Sequence, residues 1–98
     1  MKVNAQYVNF NAEGELIGFV QNRLDKLELY YNKVISSDVY LKVENTSSKK
    51  NKIVEIKLRI PKESFIVKKQ CKSFEEAVDV ACSSLQRQLL KRKEKLRA

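Results

Sequence analysis

The sequence predicts an α+β fold in which a four-stranded sheet carries two helices on one face, in the order β-α-β-β-β-α. Stretches with an apolar residue at every second position indicate strands, and two longer stretches with apolar residues three and four positions apart indicate helices. The 98 residues include two glycines and one proline, which favours long elements joined by short turns. We expect residues 1–98 to form a single two-layer domain, since this length is typical of one core.

The first two elements are a short strand and a long amphipathic helix. Alternation of apolar and polar residues predicts the strand over residues 2–8. Apolar residues at helical spacing then predict a helix that runs from Asn11, the expected N-cap, to Asn32. On a helix, its apolar residues share one broad arc. These residues are Leu16, Phe19, Val20, Leu24, Leu27, Tyr30 and Tyr31.

Three strands follow, over residues 38–45, 52–60 and 64–70. A polar hairpin loop, NTSSKKN, joins the first two of them. Pro61 ends the middle strand because proline cannot donate to a strand ladder, and the segment PKES is expected to form the tight turn that follows. The side chains predicted to face the core are Val39, Leu41, Val43, Val54, Ile56, Leu58 and Ile60.

The last element is a helix from Phe74 to the C-terminus. Ser73 and Glu76 have the spacing of a capping box, and Glu75 suits the positive end of the helix dipole. Because the strands alternate cleanly, one face of the sheet is dry, and both helices are expected to pack on it. The apolar stripe of this helix comprises Phe74, Val78, Ala81, Cys82, Leu85 and Leu89.

Basic residues are concentrated at the end of the chain. Lys and Arg total 20 against 12 acidic residues, a formal charge of +8, which favours a polyanionic partner. Arg87, Lys91 and Lys95 recur every four residues and therefore form one stripe along the last helix. Arg92 instead has the phase of the apolar stripe, which indicates that the last turns extend beyond the sheet.

The first helix and the wet face of the sheet add further cations. Arg23 lies within the apolar arc, where two interpretations stand: a snorkelling side chain whose stem packs, or a guanidinium held to bind phosphate. Lys26 follows on the same helix, and Lys42 points to the wet face. The residues predicted to bind a polyanion are Arg23, Lys26, Lys42, Arg87, Lys91, Arg92, Lys93 and Lys95.

Several functional classes lack support in the sequence. It has no histidine, no Gly-rich phosphate loop and no carboxylate pair in a catalytic motif, so we expect no enzyme and no cofactor. Asp79 stands apart from any nucleophile motif. Cys71 and Cys82 form no CxxC pair, which favours structural thiols over a metal site. Without a secretory signal or a membrane-length apolar run, a cytoplasmic location is expected.

Two segments resemble a known family. The first is LIGFVQNRLDKLELYYNKV followed by VYLKVEN, and the second is SFEEAVDVACSSLQRQLLKRKEKLR. Both resemble the ribosome hibernation-promoting factors, a family that includes the ribosome-associated inhibitor and the sigma-54 modulation proteins. The first segment matches at Arg23, Lys26, Leu27, Glu28, Tyr30, Tyr31, Lys42, Val43 and Glu44. The second matches at Ala77, Val78, Asp79, Leu85, Gln88, Leu89, Lys91, Lys93, Lys95 and Leu96. Ser73 departs from the usual capping Asp, Glu75 stands where Tyr is common, and the first strand matches poorly.

The resemblance implies a double-stranded-RNA-binding-like fold and a function. Such proteins bind 16S ribosomal RNA in the mRNA and tRNA channel of the small (30S) subunit and silence idle 70S ribosomes. The chain would be a short form, a monomer off the ribosome, without the family's C-terminal dimerisation domain. Two alternatives stay open: a generic duplex-RNA or DNA module, and a regulatory domain whose basic helix meets an acidic protein.

Overall fold

The six elements follow one another in the predicted order in the computed structural model of the protein. It describes residues 2–8, 10, 14–44 and 51–97, with side chains as far as Arg92. The elements are β1 (Lys2–Val8), α1 (Gly14–Leu27), β2 (Ser36–Val43), β3 (Lys52–Ile60), β4 (Glu63–Cys71) and α2 (Phe74–Arg97).

The four strands form one mixed sheet in the order β1-β2-β3-β4. β1 and β2 are parallel, whereas β3 is antiparallel to both β2 and β4. Parallel neighbours require a crossover connection, and α1 supplies it. α1 therefore ends where β2 begins, and α2 runs back along β4 to the same end of the molecule. We call this the lower end; it holds both helix C-termini and the β3–β4 turn.

The core lies between the two helices and one face of the sheet. Val39, Ile56 and Val67 are direct neighbours across three strands, and all three are buried. Each large aliphatic side chain removed from water stabilises the fold by about 1.5–3 kcal/mol. The largest fully buried side chains include Leu24, Leu41, Ile56, Leu58, Leu85 and Leu89. The predicted one-sided sheet is confirmed.

Helix α1 is shorter than the predicted span of residues 11–32, because it ends at Leu27. The N–H groups of residues 28–30 donate to carbonyls three positions earlier, at 3.0–3.2 Å. This is the hydrogen-bond pattern of a 3₁₀ turn, which is tighter than an α-helix. Tyr31 is still buried, at 8% exposure, but Tyr30 is 37% exposed. The predicted apolar arc was therefore wrong for Tyr30, since helical spacing no longer applies there.

The strand boundaries also differ by small amounts. β2 begins and ends two residues earlier than predicted, and β4 is one residue longer at each end. The cause in β4 is a two-residue turn, Pro61–Lys62, that pairs Glu63 directly with Ile60. Lys62 has φ of 68°, as the second central residue of a type II turn requires. The predicted Asn11 cap, and residues 45–50 of the predicted hairpin loop, lie outside the described residues.

Helix α2 begins as predicted. The Glu76 N–H donates to Ser73 Oγ at 3.2 Å, which satisfies one of the free donors at a helix start. All six residues of its predicted apolar stripe are buried, and Ala77 is buried with them. In the described part of the chain, neither helix is apolar enough over a sufficient length to cross a bilayer.

The packing predicts a large difference between two leucines of α2. Leu85→Ala should lower the free energy of unfolding by about 2–5 kcal/mol, because Leu85 is fully buried and its loss opens a cavity. Leu90→Ala is the matched control: Leu90 is 37% exposed, and we expect a loss below about 1 kcal/mol. Urea unfolding followed by circular dichroism measures both values. Equal losses would contradict the described orientation of α2.

Candidate nucleic-acid interface

The exposed cations of α2 lie one helical turn apart on the side away from the core. Arg87 and Lys91 are both exposed, whereas Leu85 and Leu89 are fully buried. The side chains of Arg87 and Lys91 are therefore available to a partner without any change in the packing of the core. The backbone of Lys93 and Lys95 continues the same helix, but their side chains lie outside the described part of the structure.

Arg92 bridges α2 to the first residue of β4. Its Nε lies 3.1 Å from Glu63 Oε2, and the two side chains are 36% and 37% exposed. This ion pair explains why Arg92, although charged, lies on the same side of α2 as the apolar stripe. Since Glu63 is the first residue of β4, Arg92 still contacts the sheet edge, and five helical residues follow it; the predicted overhang of these last residues stays a prediction.

Arg23 bridges the two helices. Its Nε lies 2.7 Å from Asp79 Oδ1, and the side chain of Arg23 is 29% exposed against 54% for Asp79. The stem packs as a snorkelling side chain would, while the charge is shared with a carboxylate on α2. Sequence reasoning missed this pair because the two residues are far apart in the chain and no spacing rule connects them.

Cys82 lies beside this ion pair. Burial raises the pKa of its thiol from the ordinary 9.0 to about 11; the nearby Arg23 charge lowers this pKa and the Asp79 charge raises it. The thiol is therefore protonated and unreactive at neutral pH. Cys71 is half-buried, and both cysteines are free. No cluster of three potential metal ligands occurs among the described residues.

Lys42 lies on the opposite face of the sheet from both helices. On this face Arg59 donates to Asp38 Oδ2 at 3.1 Å, and Asn4 donates to the other oxygen of Asp38 at 3.2 Å. Lys42 itself is exposed. The structure thus separates Lys42 from the helix cations, with the whole sheet between them.

The lower end gathers cations from several elements. Lys26 lies in the last turn of α1, close to where β2 begins, and Lys91 approaches the same end on α2. Lys33 and Lys62 lie in the turns at this end and are exposed. Sequence reasoning did not select these two lysines because single lysines in turns carry no pattern, and only the strand order places both turns at the same end of the sheet.

A cleft of about 210 Å³ lies at the lower end, between α2 and the edge strand β4. It contains two cations, a carboxylate, an amide and an aromatic ring. The lining residues are Glu63, Phe65, Gln88, Lys91 and Arg92. Lys91 and Arg92 were predicted site residues, whereas the other three were not, since β4 contributes two of them and the pairing of β4 with α2 was unknown.

The sequence matches a known family model along nearly its whole length. Residues 3–97 match the model described as Sigma 54 modulation protein / S30EA ribosomal protein. A curated relative, the ribosome hibernation promoting factor of Pseudomonas putida, is 30% identical over 95 residues, which cover 97% of this chain and 89% of the relative. The resemblance seen in the sequence is confirmed.

Two solved structures share the fold. A ribosomal subunit interface protein from Coxiella burnetii superimposes with a TM-score of 0.84 at 16% identity, covering 96% of this chain and 99% of the other. The N-terminal domain of Thermus thermophilus Protein Y gives 0.80 at 18% identity, covering 93% and 98%. These similarities confirm the α+β sandwich. They do not test the double-stranded-RNA-binding-like description, which stays a prediction.

The buried thiol predicts a specific pH dependence of stability. In the unfolded chain Cys82 ionises near its ordinary pKa of 9.0, but in the folded chain it ionises near 11. Its contribution is therefore fully present below pH 9 and is lost as the pH rises to 11, by up to roughly 3 kcal/mol. Cys82→Ala should be less stable at neutral pH but should lose less stability over this interval, as urea unfolding at several pH values would measure. Parallel curves for the two proteins would contradict the raised pKa.

Proposed function

Because this chain belongs to the Sigma 54 modulation protein / S30EA ribosomal protein family, we propose that it is a ribosome hibernation factor that binds 16S ribosomal RNA. The proposed site is the channel of the small subunit that carries mRNA and tRNA. A domain seated there would exclude both, and idle 30S and 70S particles would be silenced. Family membership and the curated relative indicate ribosome hibernation; the RNA and the channel are the proposed details.

The observation that carries the RNA contact is the exposed cationic line on α2. Arg87 and Lys91 point away from the core, and the helix continues for five residues after Arg92. Folded RNA is recognised largely by shape and phosphate contacts, and each contact releases counterions. A rigid helix that presents cations at regular spacing fits a phosphate-lined channel. Lys93 and Lys95 are proposed to continue this contact.

The other predicted cations are proposed to contribute unequally. Arg23 and Arg92 share their charge with Asp79 and Glu63, so RNA phosphate would have to compete with a carboxylate for each of them. Lys26 is exposed at the lower end and is proposed to contact RNA together with α2. Lys42, on the far face of the sheet, would meet RNA only where the channel surrounds the domain.

We propose that this function needs no chemical step. The family is a ribosome-associated one and not an enzyme family, and binding alone would block the channel. The protein would then act in the cytoplasm, as a monomer off the ribosome. A generic duplex-binding module and a protein-interaction domain are less favoured, since neither predicts the match to ribosome-associated relatives.

Sedimentation tests the assignment. The protein should co-sediment with 30S and 70S particles from stationary-phase lysate and be absent from polysomes, because translating ribosomes hold mRNA and tRNA in the proposed site. In a cell-free translation reaction, added protein should inhibit initiation less when the complexes are already filled with tRNA. Recovery only in ribosome-free fractions at low salt would refute the assignment.

Single substitutions on α2 test the location of the contact. Arg87→Ala and Lys91→Ala should each weaken 30S binding with little change in stability, because both side chains are exposed. Each lost phosphate contact should flatten the slope of log affinity against log salt by about 0.7–0.9. Filter binding at several salt concentrations measures this slope.

Lys72→Ala is the matched control for these variants. It also removes one exposed charge, but Lys72 lies before the start of α2, at the opposite end of the molecule. Its effect on binding should be much smaller. Equal losses from Lys72 and the helix cations would mean that the charge of +8 acts as a diffuse field and not through a placed contact.

A further inference from the structure

We propose that the cleft between α2 and β4 binds one unpaired nucleobase of the RNA, with a neighbouring phosphate on Lys91. This inference rests on the proposed function for its premise that the partner is RNA. It adds a base-binding site to a surface that otherwise recognises phosphate alone. The cleft opens at the sheet edge, between the start of β4 and the side of α2 that carries Gln88, Lys91 and Arg92.

The aromatic wall of the cleft fits a base. Phe65 is half-buried and packs against the core, so its ring is held in place while part of it lines the cleft. Unpaired bases of RNA are commonly bound by stacking on aromatic side chains and on guanidinium planes. Arg92, held by Glu63, supplies such a plane in the same cleft.

The polar groups of the cleft indicate which bases it prefers. The ionised Glu63 side chain only accepts hydrogen bonds, and one of its oxygens, Oε2, already lies 3.1 Å from Arg92 Nε. Its other oxygen suits an exocyclic amine, which guanine, adenine and cytosine carry and uracil lacks. Gln88 adds an amide on the α2 side, where its Nε2 donates to Ser84 Oγ at 3.5 Å.

Size and charge favour a nucleotide over other occupants. The cleft volume of about 210 Å³ is below the roughly 300–1,000 Å³ typical of sites for larger ligands, so it suits one planar ring system. Lys91 and Arg92 outweigh Glu63 by one positive charge, and Arg87 lies one turn away from Lys91. A ligand that joins a flat ring to a phosphate satisfies both features.

Titration of the free protein with nucleotides tests the site. We expect GMP, AMP and CMP to shift the amide NMR signals of residues 63–65 and 88–92, with UMP binding more weakly. Inorganic phosphate should shift signals near Lys91 without those of Phe65. Equal shifts from phosphate and GMP would show a cation site only, and equal shifts from an acidic peptide would show a protein-docking site; either result overturns the proposal.

Two variants separate this site from the general RNA contact. Phe65→Leu keeps an apolar side chain but removes the ring, and it should weaken GMP binding and 30S binding by about fivefold or more. Glu63→Gln should reduce the discrimination against UMP, because an amide can also donate. Ile66→Ala is the control, since Ile66 is 59% exposed on the other face of the sheet.

The outcomes also separate this proposal from the proposed function. If Phe65→Leu folds normally by thermal unfolding and binds 30S subunits as tightly as the unsubstituted protein, the base site is wrong while the hibernation function stands. If the unsubstituted protein binds nucleotides in the cleft but does not bind 30S subunits, the proposed function fails while the base site stands.

Discussion

The parallel pairing of β1 with β2 is the constraint on which the rest of the molecule depends. A hairpin cannot join parallel strands, so the chain has to return over one face of the sheet, and it does so as α1. This return places the C-terminus of α1 beside the start of β2. Two hairpins then direct α2 back along β4 to the same end. Both helix dipoles therefore present their negative ends there, which favours a cation in the last turn, such as Lys26 of α1.

Two ion pairs connect α2 to its neighbours, through Asp79 to α1 and through Arg92 to β4. Both pairs are partly exposed, and such pairs contribute only about 0–1 kcal/mol to stability. The buried aliphatic side chains therefore supply most of the stability. Because Leu89 is the last buried side chain of α2 among the described residues, and Arg87 and Lys91 are exposed, these two cations can serve binding at little cost to the fold. The separation of the two tasks along one helix makes the proposed RNA contact compatible with a stable domain.

Much of the fold could be predicted from the sequence because it depends on local patterns. Alternation identified the inward residues of β3, all of which are buried, and helical spacing identified the buried stripe of α2. Ser73 as N-cap follows from a three-residue spacing, and the cation-rich end of the chain follows from composition. The errors fall where local patterns weaken. Helix α1 ends at Leu27 because the next residues form 3₁₀-type hydrogen bonds. Strand β4 begins one residue earlier than predicted because the turn consists of Pro61 and Lys62 alone.

The sequence by itself thus determined the kinds of element, their order, the core-facing side chains and the position of the α2 cations. Only the tertiary structure decided which strands are neighbours, that Arg23 and Arg92 are held by carboxylates, that Lys42 faces away from the helices, and that Phe65 lines a cleft beside Lys91. The physical reason is distance along the chain. Periodicity and capping act between residues a few positions apart, whereas these contacts join residues from different elements, whose approach depends on how the whole sheet is assembled.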